Sequence, residues 1–348
     1  MTTEADGRAA PDDKSSRAAN IFDVARLAGV SHQTVSRVLN DVPNVRPATR
    51  ERVEQAIAQL RYSPSPAARA LVTKRTRTIG MITPGSTEYG PTSTAMYFNV
   101  AARAARFSVD TMTLPESNAA AVRSSVEALL RQRVDAIVLV VTDIAVLDVV
   151  LSLDLNIPIV AVAASTRRSP AVVSIDQYRG ARSAVRHLVE LGHTQIFHLA
   201  GPPDAPDAIE RIRGWKDELA GNRLDVVEAL HGDWSARSGF DLGTRLTDIR
   251  PGTAVFAAND YMALGLVAAL DARGLRVPDD VSIVGFDDVP EAEFLLPPLT
   301  TVRQDFAALG ALIMQKLLIA IEEPENVAVS TPLATSFVVR RSTAALER

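Results

Sequence analysis

Cysteine is absent from the chain, so no disulfide and no thiolate metal site contributes to its stability or chemistry. That agrees with a reducing compartment. No apolar run approaches the roughly 18 residues that a membrane span needs. The opening "MTTEADGRAAPDDKSSRAA" lacks the hydrophobic stretch of an export signal, and a cytoplasmic protein is expected. Enzyme signatures are missing too: no G-x-G-x-x-G after a strand, no Walker lysine loop and no G-x-S-x-G elbow. The five histidines, His32, His187, His193, His198 and His231, show no metal-ligand spacing. No repeat recurs at the 20–50-residue periods of solenoids. The expectation is a non-enzyme with no metal site and no cofactor.

What is present divides unevenly. A chain of 348 residues is too long for one ordinary core, and its 47% hydrophobic and 22% charged content is that of a globular protein. Residues 1–19 carry three Lys/Arg against four Asp/Glu, net −1. Residues 20–76 carry nine against four, net +5, and residues 77–348 carry 25 against 33, net −8. A small basic module precedes a large acidic body.

The first 19 residues are polar, rich in Gly, Pro and Ser, and read as a disordered tail. "NIFDVARLAGV" reads as a short helix with Asn20 as N-cap, Asp23 in the first turn and Gly29 at its end. In "VSHQTVSRVLN" Ser31 caps a second helix running to about Leu39, with Val35, Val38 and Leu39 on one face. Two short helices joined by a Gly-containing turn form a helix-turn-helix. A third helix starts at Pro47, with Val53, Ile57 and Leu60 at i, i+4, i+7. The headpiece spans 20–63. The linker 64–77, with Ser65–Pro66 as a helix start, is too short to hold a helix alone in water.

From Thr78 the pattern changes. "TIGMIT", "AIVLVV", "IPIVAVA", "QIFHLAG", "TAVFAA" and "VSIVGF" are near-continuous apolar strands, separated by helical stretches such as 117–131, 180–191, 207–220 and 260–274. Strands apolar on both faces and separated by helices imply parallel sheets. The expected fold is a small all-α helix-turn-helix headpiece plus an α/β core, 78–348, of two doubly wound parallel-sheet subdomains with a cleft between them.

The polar face of the second helix carries His32, Gln33, Ser36 and Arg37. The plain reading is a solvated surface. The basic setting and the helix-turn-helix favour another, in which this helix enters the major groove of DNA. Arg pairs with guanine O6/N7 and Gln with adenine N6/N7, so His32, Gln33 and Arg37 are candidate base readers. Ser31, Thr34, Ser36 and Asn40 suit phosphate contacts that position without specifying.

"DVARLAGVSHQTVSRVLN…VRPATRERVEQAIAQLRYSP" resembles the headpiece of the LacI/GalR family of bacterial repressors. "HLVELGHTQIFHLAGP", "GDWSARSGF", "AANDYMALG" and "VSIVGFDDVPEAEFLLPPLTTVRQDF" extend the resemblance into that family's effector-binding core, which is periplasmic-binding-protein-like, to about residue 341. The resemblance implies an N-subdomain of about 78–175 plus 304–330 and a C-subdomain of about 176–303 plus 331–341. It implies that 64–77 is a hinge helix ordered on operator DNA, with Leu71 wedged into the minor groove; the alternative is that Leu71 packs linker against core. It also puts Arg211, Trp234, Asn259, Asp287 and Gln304 at effector-contact positions, with Phe306 beside them.

As chemistry that set suits a saccharide: Arg donates, Asp accepts, Asn and Gln do both, and Trp offers an aromatic face. Plainer roles stay open, with Asp287 and Asn259 as helix caps and Trp234 as core. The first-subdomain half departs from the family pattern. Glu88 stands where an apolar residue is expected, Val140 where a polar contact is expected, and no ligand-binding acid occurs around Ala163; Tyr89 and Glu88 of "TEYGP" take their place. The resemblance implies a homodimer that binds a pseudo-palindromic operator and is released by a saccharide inducer. The alternatives are a free sugar-binding receptor, which the missing export signal and the basic headpiece disfavour, or a sugar-modifying enzyme.

Arg37→Ala costs about 1–3 kcal/mol on a cognate duplex and relaxes preference at one base pair. Titrations against single-base-pair operator variants measure both.

Overall fold

The computed structural model describes residues 19–39, 45–62, 75–114, 118–152, 155–164, 169–250 and 252–346. Asn40, Leu71, most of the tail and residues 63–74 of the linker lie outside them. Contacts divide the chain at Thr76/Arg77 into two units.

The first unit holds α1 (Ile21–Ala28), α2 (His32–Leu39) and α3 (Pro47–Leu60). Asn20 and Asp23 form a reciprocal capping box at the start of α1, and Gly29, at φ +64°, closes it. Val24, Ala25, Ala28, Val35, Val38, Val53 and Ala56 make a core of small side chains. Burial of so little apolar area leaves the unit marginally stable.

The second unit contains two sheets. β1 (Thr78–Pro84), α4 (Tyr89–Ala104), β2 (Ser108–Leu114), α5 (Ala119–Arg131), β3 (Ala136–Val140), α6 (Ile144–Ser152), β4 (Ile159–Val162) and β5 (Val172–Val173) build the first. Its order is β2-β1-β3-β4-β5, all pairs parallel. The chain continues through α7 (Gln177–Glu190), β6 (Gln195–Ala200), α8 (Pro206–Gly221), β7 (Leu230–His231), α9 (Ala236–Arg245), β8 (Thr253–Ala257), α10 (Asp260–Asp271), β9 (Ser282–Asp287) and β10 (Thr300–Arg303). α11 (Phe306–Glu322) and β11 (Ser336–Val338) follow. The second sheet runs β11-β10-β9-β8-β6-β7. Its edge pair β10–β11 is antiparallel, the one departure from the all-parallel expectation among the described pairs.

Each sheet is covered on both faces, which is why its strands read as continuous apolar runs. Phe98, Ile313 and Leu317 lie against one face of the first sheet, and Val122, Val126 and Leu129 against the other. α11 follows a strand of the second sheet yet packs on the first, and β11 then returns to the second. The chain therefore passes between the sheets around 174–176, 304–305 and 323–335. No helix among the described residues is long and apolar enough to cross a membrane.

α9 and α10 cross at glycines. A Cβ at Gly265 would lie 1.8 Å from the Ala236 carbonyl oxygen, and one at Gly239 would lie 2.2 Å from that of Met262. Gly265→Ala therefore destabilises the core by about 1–3 kcal/mol or more by forcing the helices apart. Denaturant unfolding followed by tryptophan fluorescence registers this as a lower midpoint; an unchanged midpoint contradicts the close crossing.

Candidate functional site

On α2, Val35 and Val38 point into the headpiece core while His32, Gln33 and Arg37 stand exposed together. Ser31 accepts the Thr34 backbone N–H at 3.2 Å, and the two hydroxyls lie 3.0 Å apart. The cap thus engages two of the side chains proposed for phosphate contacts, Ser31 and Thr34, and a third, Ser36, is half-buried. The apolar periodicity did not single out Phe22. Its ring is 59% exposed and lies 5.2 Å from that of His32, centroid to centroid. An aromatic in the first turn, off the buried Val24–Ala25–Ala28 face, was the available signal. It limits the orientations of a candidate base-reading imidazole.

In the second unit, parallel strands of both sheets deliver their C-terminal ends to one cleft of about 740 Å³. Every core residue expected to contact effector lines it: Arg211, Trp234, Asn259, Asp287, Gln304, Phe306, Tyr89 and Glu88. Glu88 and Tyr89 follow β1, Trp234 follows β7, Asn259 follows β8, Asp287 ends β9, and Gln304 follows β10.

The polar wall is a ring of four buried side chains. Arg211 donates Nε–H to Gln177 Oε1 at 2.9 Å, and Gln177 donates to Gln304 Oε1 at 2.7 Å. Gln304 donates to Asp287 Oδ1 at 2.7 Å, and the same oxygen lies 3.6 Å from the Arg211 guanidinium. Arg211 also donates to the Ala258 carbonyl, lies 3.8 Å from Asp207 and stacks 3.8 Å above the Phe286 ring. Its donors are largely engaged within the protein, so Arg211 positions the wall as well as facing the cleft. Burial pushes the Asp287 carboxyl up to about 6, opposed by Arg211 and Gln304 and reinforced by Asp207 and Glu88. Asp287 and Trp234 hold φ angles of +112° and +71°. Such conformations cost about 1–3 kcal/mol each and cluster at functional sites.

Supporting contacts hold these groups. Asp260 accepts the Thr301 hydroxyl at 2.6 Å and the Val289 backbone N–H at 2.8 Å, fixing the turn after Asp287. Burial, with Asp287 nearby, raises the Asp260 carboxyl well above its usual range. Asp288 pairs with Arg303 and Arg340, at 2.5 and 2.7 Å. Asn259 caps α10 through Met262 N–H at 2.8 Å and donates to the Trp234 carbonyl at 3.0 Å. Its capping role is therefore real, and it holds the Trp234 turn as well. Trp234 lies against Gly201, where a Cβ would come within 2.3 Å of the indole.

The first-subdomain wall differs in kind. Val140, Val162, Ala163, Ala164 and Ile175 make it apolar, and Tyr89 meets Phe306 edge-on at 5.7 Å. Glu88 is the acid in this wall. Burial first, then the Asp207 carboxylate, raise its pKa; the Ser86 hydroxyl opposes them and Asp233 adds to them. Asp207, in the first turn of α8, is also raised by burial, with Arg211 opposing. Gln177 and Asp207 were not foreseen from the sequence.

A helix-turn-helix unit ahead of a two-sheet core with a polar cleft is the make-up of a ligand-responsive transcription regulator. The pattern of bacterial regulatory proteins of the lacI family matches residues 20–65, and that of the periplasmic binding protein-like domain matches 185–343. The lactose operon repressor of Escherichia coli (strain K12) is 36% identical over 328 residues, covering 93% of this chain and 91% of its own. The repressor PurR of Haemophilus influenzae (strain PittEE) is 34% identical, covering 86% and 90%. The chain belongs to the LacI family. Among solved structures, a Lac repressor dimer bound to operator and the anti-inducer ONPF superposes with TM-score 0.82 at 35% identity, covering 94% of this chain and all of that one. The regulator CelR in complex with cellobiose gives 0.70 at 31%, covering 93% and 99%.

Asn259→Ala removes both the cap and the tie to Trp234, and costs about 1–2 kcal/mol of core stability. Asn259→Asp keeps the cap and loses the tie. Thermal unfolding and Trp234 fluorescence separate the roles: the Ala variant changes both, the Asp variant mainly the fluorescence.

Proposed function

We propose that this chain is a DNA-binding repressor of sugar-utilisation genes, acting as a homodimer in the cytoplasm on a pseudo-palindromic operator and released by a saccharide in the cleft. The observation that carries this reading is the convergence of Asp287, Gln304, Asn259, Arg211 and Trp234 on one cavity, in a chain whose basic headpiece exposes His32, Gln33 and Arg37. The operator-bound Lac repressor dimer and the cellobiose-bound CelR support the two halves of the reading. Relatives named as repressors do not support the enzyme alternative.

The domain limits follow the same reading: headpiece 20–63, hinge 64–77 with Leu71 as the minor-groove wedge, and effector core 78–348. His32, Gln33 and Arg37 read base edges, while Ser31, Thr34, Ser36 and Asn40 position the phosphates. The aromatic face of Trp234 and the edge-on pair Tyr89 and Phe306 hold the C–H surface of a sugar ring, and Asp287, Asn259, Gln304 and Arg211 order its hydroxyls.

Two of the ring residues adjoin crossings between the sheets, Gln304 before α11 and Gln177 at the start of α7. A ligand that draws on Asp287 therefore acts on the segments about which the subdomains turn. It shifts the equilibrium only by its differential affinity for the two arrangements, about 1–3 kcal/mol in typical coupled sites.

Asp287→Ala leaves duplex binding intact and abolishes its response to saccharide; loss of both makes Asp287 a structural residue. The raised Asp287 pKa gives the sign of the pH effect. As pH falls through about 6 the anionic acceptor is lost, and saccharide affinity weakens toward about tenfold per unit below that point. Calorimetric titrations from pH 5 to 8 measure it, and a flat profile removes the carboxylate from the contact.

A further inference from the structure

The cleft is anionic in a way that the ring of hydroxyl-binding groups does not explain. Glu88, Asp207 and Asp287 line it, and Arg211 is the only base among the described lining residues. That guanidinium is already committed to Gln177, Ala258 and the two aspartates. Among the described residues no arginine, lysine or histidine pairs with Glu88, whose charged neighbours are the acids Asp207 and Asp233. A carboxylate set in an apolar wall and facing other carboxylates is unfavourable unless something cationic joins it.

Building on the effector reading above, we propose that the cleft takes a saccharide bearing a protonated amine, with the ammonium between Glu88 of the first subdomain and Asp207 of the second. An ammonium offers three charge-assisted hydrogen bonds where a hydroxyl offers one neutral donor. Sugar phosphates and uronates are expected to bind poorly, because no uncommitted cation is present among the described lining residues. The placement also drives closure. Glu88 belongs to one sheet's loops, and Asp207 and Asp233 to the other's, so narrowing the cleft with no cation in it would bring like charges together. A cation between them reverses that sign and favours the closed arrangement.

Calorimetry on the intact protein at pH 7.5 compares 2-amino-2-deoxy and 6-amino-6-deoxy forms of glucose and galactose, and the β-1,4 dimer of glucosamine, each beside its hydroxyl parent. Glucose 6-phosphate serves as the anionic control. The proposal expects at least one amine to bind about tenfold or more tightly than its parent, the phosphate not to bind, and the preference to collapse in Glu88→Gln and in Asp207→Asn. Parents that bind as well as their amines overturn the amine assignment, and if they release a duplex, leave the effector reading standing. If neither series binds, the amine assignment and the saccharide reading fall together.

Discussion

A single buried carboxylate organises the core. Asp287 sits at the end of β9 with a strained backbone, accepts Gln304, and through Gln304 and Gln177 is tied to Arg211 on α8. The ring joins a strand end, a helix and two of the crossings between subdomains by direct hydrogen bonds. Buried polar groups must be satisfied, and a partly satisfied network is costly. Whatever a ligand takes from Asp287 must therefore be rebalanced at Gln304 and Gln177, which lie where the subdomains can turn. In the proposed reading, recognition and conformational response use the same atoms.

The headpiece works by a different balance. Its core is made of valines and alanines, too small to be more than marginally stable. It leaves one face of α2 free of packing duties, and Phe22 against His32 adds an aromatic brace on that face. The basic surplus of residues 20–76 supplies sequence-independent attraction to phosphate. Specificity must then come from a few exposed side chains, as the arrangement of His32, Gln33 and Arg37 allows.

Much of this was legible because parallel strands covered on both faces announce themselves as apolar runs. Six strands could be read that way; β2 could not, since "SVDTMTL" at the sheet edge alternates with polar residues. β5 and β7 have two residues each, too short for any period. All eight expected cleft residues line one cavity because loops after strand ends converge there. Gln177 and Asp207 escaped because a polar residue in a helix's first turn looks like an ordinary surface position until tertiary contacts draw it into the cleft wall. The sequence also suggested Asn259 as a helix cap or a ligand contact; its two amide atoms cap α10 and hold the Trp234 turn at the cleft.

The central claim is a free-energy coupling between the Asp287 cleft and the DNA-reading face, and thermodynamics requires that coupling to be reciprocal. The direct measurement takes a duplex selected from a random library and a saccharide shown to bind the cleft. Duplex affinity is determined with and without saccharide, and saccharide affinity with and without duplex. The account predicts one common factor for both, about 5–150-fold, with each ligand weakening the other. A factor of one, with both ligands bound at full affinity together, would contradict it.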